Sequence, residues 1–489
     1  GLAGCAPAAK EDGNGTAQAA TASGASSESG WRTPPAEITD FAQEIDCDVV
    51  VCGHGFAGIT ACRELAEEGK KVYLVEKQPE DTFNAVGNEF ASLNSTILKE
   101  RGVPQIDPVE FFQNWMTITG NYPNQELVMK FAQNSAETTD WYLSELTDDD
   151  FATMTTAFFP KTEHQLDNIG PIKFWPSVCS FYGECNQTKI HGYNREVAKQ
   201  NGAEFLFSTE ARYVVMDDGA VAGLVATNDE GNLKFNCKAV VIACGGFGGN
   251  PEMMADLMPD MAGALVGDEA LTSMSANDGR GVQMAYWAGA HLETCPIPGM
   301  NMKGLSLPGK MNCLPQAVWI DENGKRFCNE YGSLGTLPFT EQMGCPGGTA
   351  YAIWDMNYAE QYPLDWINGS VPYGQPNTLT PEDVVASWEE GVSSGMYVKA
   401  DTLEDLVKQL GLPDGTLENI QAYNADCEAG EDTQFHKYPE LMIPVSKAPF
   451  YGAASDTSFF LTILGGLRTD ENMRVCDEDD NPIEGLYNV

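Results

Sequence analysis

The residues best suited to chemistry lie between Asp48 and Lys77, in the stretch DVVVCGHGFAGITACRELAEEGKKVYLVEK. Gly53, Gly55 and Gly58 stand in the spacing G-x-G-x-x-G, and Glu76 closes the next apolar run. Glycine at the first position permits a tight turn off a strand. At the second it leaves no side chain to hold the backbone away from a pyrophosphate, and at the third it lets a helix pack closely on the strand. A helix beginning there offers free N–H groups and a partial positive charge to phosphates. A carboxylate at Glu76 is placed to accept hydrogen bonds from an adenosine ribose.

Those tasks require strand, glycine turn, helix, strand and acid in that order, and the stretch supplies each. Val49 to Val51 is a β-branched run. Ile59, Cys62, Leu65 and Ala66 then recur at three- and four-residue spacing, the pattern of one helix face. Gly69 ends that helix, and Val72 to Val75 forms a second buried strand. The unit reads as a dinucleotide-binding βαβ.

With 489 residues, the chain has room for two or three domains. No run of 18 apolar residues occurs, so no membrane-spanning helix is expected in it. The formal net charge of −43 excludes nucleic acid as a partner, because phosphates are repelled. It suits either solubility after export or attraction of a basic redox partner. Fourteen cysteines include no C-x-x-C pair, so no zinc ribbon or standard ferredoxin-type motif is expected, and no metal site. Cys52, Cys62, Cys237 and Cys244 sit in apolar strand or helix patterns and read as small buried thiols. Cys179 and Cys185 are a possible pair.

Leu2-Ala3-Gly4-Cys5 resembles a bacterial lipobox, and Ala, Gly, Ser and Thr dominate residues 6–35. We therefore expect a chain cut within its signal peptide, exported and lipid-anchored at Cys5 on the outer face of the cytoplasmic membrane, with residues 1–35 as a flexible tether. Asn84 to Ser92 is a small, polar loop after the second strand. Residues 107–146 read as core helices. Asn194 to Gly202 reads as a helix, Glu204 to Phe207 as a strand, and Ala211 to Thr227 as a hairpin turning at Asp218-Gly219. Ala239 to Ala243 is a buried strand running into Cys244-Gly245-Gly246, and a helix opens at Ala276-Asn277-Asp278-Gly279. From about His291 the periodicity weakens and Pro, Gly, Met and aromatic residues become frequent. We divide the chain into the tether (1–35), a first part of a nucleotide-binding domain (36–290), an inserted domain (291–445) and a second part (446–489). Thr402 to Leu410 and Pro413 to Glu428 read as short surface helices. The chain stops in mid-strand at Val489, which leads us to expect a missing C-terminal segment.

Five segments in order resemble the flavoprotein family of fumarate reductase and succinate dehydrogenase, which includes urocanate reductase and the 3-ketosteroid dehydrogenases. They are DVVVCGHGFAG with VYLVEK, AVVIACGGFGGNPEMM, NDGRGVQMAYWAGA, VWIDENGKRFCNE, and GGLRTDENMRVCDEDDNPIEGLYNV. The resemblance implies an α/β fold, with a Rossmann-like FAD-binding domain of glutathione-reductase type interrupted by an α+β cap. It implies FAD as cofactor, a small unsaturated substrate held between domain and cap, and hydride transfer between flavin and a carbon–carbon bond. Carried over by position, Gly53, Gly55, Phe56, Ala57 and Gly58 meet the pyrophosphate. Glu76 binds the adenosine ribose with Lys77 beside it, and Ala211 approaches the adenine. Gly87, Asn88 and Ser92 line the flavin. Ala243, Gly245 and Gly246 lie over the cofactor, and Gly465 and Gly466 near the isoalloxazine. The family's closing segment would follow Val489.

Three departures bear on substrate. Where fumarate reductases have His-Pro-Thr, this chain has Cys295-Pro296-Ile297-Pro298. The proton-donating arginine after RFxNE is Leu334 here, and the histidine before the later diglycine is Thr462. A dicarboxylate needs such groups to neutralise it, so fumarate and succinate are not expected. Tyr331, Tyr451 and Glu330 stand as catalytic candidates, the first two as proton donors, while Glu330 reads more readily as structural. His164, His191, His291 and His436 carry no motif.

The expected function is an exported, FAD-dependent reduction of an enone or enoate, with electrons from a separate donor such as a cytochrome, because no second nucleotide fingerprint is visible. The alternatives are a steroid-like dehydrogenase running the reverse reaction and a lipid-anchored binding protein with a vestigial cofactor site.

Overall fold

The architecture comes from a computed structural model, which describes residues 30–85, 89–100, 103–157, 168–169, 172–173, 178–181, 183–259, 277–293, 297, 299–303, 317–330, 349–365, 370–372, 380–455, 458–463 and 465–489. Short strand β1 (Gln43–Asp46) precedes β2 (Val49–Cys52), whose four residues are all buried because helices or strands cover both faces. Helix α1 (Phe56–Glu67) and strand β3 (Val72–Val75) complete the expected βαβ unit. Helix α2 (Gln125–Tyr142) begins at an Asn124 side-chain cap, and helix α3 (Gln187–Gln200) packs on α1. Strand β4 (Glu204–Leu206) is followed by a meander of β5 (Glu210–Asp217), β6 (Ala220–Asn228) and β7 (Gly231–Asn236). Asp218 and Gly219 both have positive φ, 47° and 81°, as a tight hairpin turn requires. Strand β8 (Ala239–Ile242) and helix α4 (Arg280–Trp287) come next.

The last strand, β9 (Pro482–Asn488), joins a parallel sheet in the order β9-β8-β2-β3-β4. Every parallel neighbour here is reached by a crossover, so the strand ends that carry Gly53, Glu76 and Ala243 share one edge of the sheet. This is the expected α/β nucleotide-binding arrangement.

The inserted domain is built on a second sheet. Its antiparallel strands run in the order Val318–Ile320, Ala350–Asp355, Phe450–Ser455, Val398–Ala400. Trp319, Trp354, Trp388 and Tyr451 lie at the centre of its core. An antiparallel ribbon of Gly299–Lys303 with Ser458–Ile463 carries the chain into and out of this domain.

Three expectations shift. Residues 291–293 still belong to the first domain, because Leu292 bridges Leu467 and His291 N–H donates to Cys476 O. Strand Phe450–Ser455 belongs to the insertion, so the return comes near Ile463 rather than 446. The tether ends before residue 30: Trp31 is buried, donates through Nε1 to Asp256 at 2.8 Å, and accepts from Trp287 Nε1 at 3.0 Å. The surface helices Leu403–Gln409 and Thr416–Ala429 also send Leu406, Val407, Ile420 and Tyr423 into the cap core. Among the described residues no helix is long and apolar enough to cross a membrane.

Candidate functional site

The glycine turn explains itself atom by atom. Gly53 has φ +105°, and a Cβ there would meet Ala243 O at 2.3 Å. A Cβ on Gly58 would lie 1.9 Å from Gly53 O. Gly53 is glycine because the end of β8 crowds it, and Gly58 because α1 packs against the turn at Gly53. Gly55 is different: a Cβ there would meet nothing within 4 Å. No described protein atom requires glycine at that position, which lines open space.

That space is a cleft of about 310 Å³ lined by Gly53–Ala57, Glu76, Lys77, Ala211, Ala243 and Gly245 among others. Gly55 caps α1 without a side-chain hydrogen bond, and the first turn carries no acid. Its N–H groups therefore face the cleft as an anion site. Glu76 is buried at the end of β3. Its Oε2 accepts from His54 N and its Oε1 from Gln78 N, both at 2.8 Å. These two bonds orient the carboxylate and leave each oxygen a further lone pair for a ribose hydroxyl. Lys77 Nζ pairs with Asp278 Oδ2 at 2.8 Å across the cleft mouth. Arg280, at the start of α4, pairs with Glu210 at 3.1 Å, while its buried Nε has no partner among the described residues. Sequence reasoning does not single out Asp278 or Arg280. Their role depends on α4 meeting β5, which the local pattern does not show.

The other expected cofactor residues divide into groups. Ala211 lies buried in β5 opposite Ala226 and lines the cleft. Gly245, at φ +71°, turns beneath Asn277, whose Oδ1 would meet a Cβ at 2.5 Å. Gly246, Gly465 and Gly466 are not part of this cleft. A Cβ on Gly246 would meet Ile463, and one on Gly465 would meet Glu293 Oε2 at 2.7 Å. Burial raises the Glu293 carboxyl above its ordinary value, while the Gly466 backbone pulls it down. Ser92 is buried and donates to Ser135 O at 3.3 Å, toward α2. Gly87 and Asn88 lie outside the described residues. A larger apolar cleft, about 860 Å³, opens between Phe56, Phe90, Phe131 and Tyr142, sharing Phe56, Ala57 and Val489 with the first.

The catalytic expectations fare differently. Tyr331 lies outside the described residues, as do Cys295 and Leu334. Tyr451 is corrected: it is fully buried in the cap core, stacked on Trp354, and donates to Glu389 Oε1 at 2.7 Å. Burial and the Glu389 carboxylate both raise its phenol, so it holds its proton, and it lines neither of the two clefts described above. Glu330 is corrected too. Arg326 grips it with Nε and Nη2 at 2.8 Å each, Lys437 lies 3.3 Å away, and Arg326 also pairs with Asp432 at 2.9 Å. All four side chains are buried, so the cluster ties the cap together and carries no exposed proton. Among the described residues no group of three or more His, Cys, Asp or Glu is placed to hold a metal.

His191, which carries no motif, lies buried in the core, and His54, which sequence reasoning passes over, lies beside it. His54 occupies the first variable position of the glycine motif, and its ring is buried among Phe83, Phe205, Phe207 and His191. Neither ring nitrogen of His54 has a hydrogen-bond partner among the described residues. Burial lowers His54 to about 3, helped by His191, Arg195 and Lys199, and lowers His191 to about 4.

Residues 48–489 match the family described as FAD binding domain. The chain is 26% identical to vinyl phenol reductase of Lactiplantibacillus plantarum, over 91% of this chain and 90% of that protein. It is 31% identical to NADH:acrylate oxidoreductase of Vibrio harveyi, over 61% of this chain but only 28% of that longer protein. Among solved structures, 3-ketosteroid-Δ4-(5α)-dehydrogenase from Rhodococcus jostii superposes with a TM-score of 0.67 at 20% identity, covering 92% of this chain and 91% of that one, a likeness of fold.

Proposed function

The chain belongs to the FAD-binding-domain flavoprotein family, and on that premise we propose that it reduces an activated carbon–carbon double bond, an enone or enoate other than fumarate. It is an FAD-dependent oxidoreductase of a family acting on carbon–carbon double bonds. The observation that carries the assignment is the open space over Gly55, set between an uncapped helix N-terminus and an oriented carboxylate. FAD bound there supplies the centre that transfers hydride to the substrate. The protein's own part is to fix that cofactor. The N–H groups of α1 would hold the pyrophosphate, Glu76 the ribose, and the backbone at Ala211 the adenine.

Leu334 and Thr462 replace an arginine and a histidine, so two cationic partners for a dicarboxylate are lost. Relatives named for vinyl phenol and acrylate support an alkene as acceptor. We propose further that electrons arrive from a separate redox protein such as a cytochrome. The lipobox-like Leu2-Ala3-Gly4-Cys5 and the small-residue run after it support an exported protein anchored through Cys5.

The test is anaerobic. FAD-loaded protein is reduced with an artificial dye and offered a vinylphenol, an enone, acrylate, urocanate and fumarate in turn, while flavin absorbance is followed. At least one alkene other than fumarate restores oxidised flavin and gives the saturated product. If none does, or if fumarate is the best oxidant, the reading fails. Oxidation of the saturated product in its place assigns the dehydrogenase direction.

A further inference from the structure

Two cysteines outside the cofactor cleft are set side by side by the sheet. Strands β1 and β7 run parallel, with Asp46 opposite Asn236. The next residues are Cys47 and Cys237, and the ladder continues to them: Cys47 N–H donates to Asn236 O at 3.1 Å. Neighbouring strands lie about 4.8 Å apart, within the roughly 4.4–6.8 Å between Cα atoms that a disulfide spans. Both side chains turn into one apolar cluster, Cys237 buried within it and Cys47 packed half-exposed against it.

We propose that Cys47 and Cys237 are a disulfide-forming pair, oxidised in the folded protein by a small-molecule disulfide, so that the bond staples β1 to β7. Two exchanges accomplish it. One thiolate of the pair attacks glutathione disulfide and releases a glutathione thiolate. The second then attacks the mixed disulfide and releases another. The two protein thiols lose two protons and two electrons, and one glutathione disulfide leaves as two glutathiones. The half-exposed Cys47 gives the reagent its entry. The bond closes a long loop running from the N-terminal strand through the whole βαβ unit, and it fixes the strand nearest the N-terminal segment to the domain.

The experiment uses the full FAD-loaded chain. Folded protein is incubated with glutathione disulfide, remaining thiols are alkylated, and tryptic peptides are mapped without reduction. Cleavage gives Phe235–Lys238, containing Cys237, and residues 33–63, containing Cys47, Cys52 and Cys62. These two peptides are expected joined, with fragment ions placing the bond at Cys47. Cys47→Ser abolishes the join. The oxidised wild type melts higher than the reduced protein by roughly 5 °C, the shift a loop of this length produces, and Cys47→Ser shows no such shift. Recovery of both peptides unlinked, or linkage through Cys52 or Cys62, overturns the proposal.

Discussion

His54 and His191 make the stability of this protein depend on pH with a sign and size that their burial dictates. Their ordinary value is near 6.5, and in the fold they stand at about 3 and about 4. A depressed value means that the unfolded chain takes up protons the folded chain refuses. Stability is therefore fully present above pH 6.5 and is lost as pH falls below it, levelling off only past the folded values. At pH 5 the unfolded rings are 1.5 units below their midpoint and the folded rings remain neutral. At about 1.36 kcal/mol per unit, each costs about 2 kcal/mol, and the pair costs about 4 kcal/mol between pH 7.5 and 5. The perturbation is His54→Phe with His191→Phe, which keeps an aromatic ring in a cage already made of Phe83, Phe205 and Phe207. Urea midpoints at pH 7.5 and 5.0, at one fixed FAD concentration, give the readout. Carboxylates elsewhere titrate equally in both proteins and cancel. The double variant is expected to lose about 4 kcal/mol less than wild type over that interval, and His191→Phe alone about half of that. At pH 7.5 it is at least as stable, because the unpaired ring nitrogens of His54 disappear from the interior. Equal losses in wild type and double variant, within about 1 kcal/mol, refute the reasoning.

Two further substitutions sort the site. Gly55→Ala leaves folding unchanged, because Gly55 has φ −70° and open space where a Cβ would sit, yet it weakens FAD binding roughly tenfold or more by pushing into the cofactor's place. Gly58→Ala abolishes soluble folded protein, since its Cβ would lie 1.9 Å from Gly53 O. Circular dichroism with retained flavin absorbance separates the two outcomes. Tyr451→Phe keeps alkene turnover at the wild-type rate and lowers stability by about 1 kcal/mol, the loss of the bond to Glu389; a large fall in turnover would return this tyrosine to the reaction.

The glycine turn, its two strands and Glu76 were legible because each task falls on residues within one short stretch of chain, and a backbone that must meet a helix or a pyrophosphate leaves its mark as a missing side chain. The hairpin at Asp218-Gly219 was legible for the same reason, two residues needing positive φ. Trp31 was not, because a single aromatic residue at the end of a small-residue run says nothing of a groove formed by Asp256 and Trp287, more than two hundred residues on.

Tyr451 and Glu330 show the limit most clearly. Their nearness in sequence to glycine and arginine motifs suggested chemistry, but strand Phe450–Ser455 pairs into the cap sheet, which turns Tyr451 onto Trp354 and out of the described clefts. Glu330 meets Arg326 four residues away, yet Asp432 and Lys437, which close the cluster, come from another part of the chain. The sequence by itself determined where a dinucleotide is held, since a β-strand, a glycine turn and a helix N-terminus are local structures written in local residue types. Only the tertiary structure decided which buried acids, phenols and imidazoles are spent on the core and which face the cleft, because burial and ion pairing depend on strand order, and distant segments set that order.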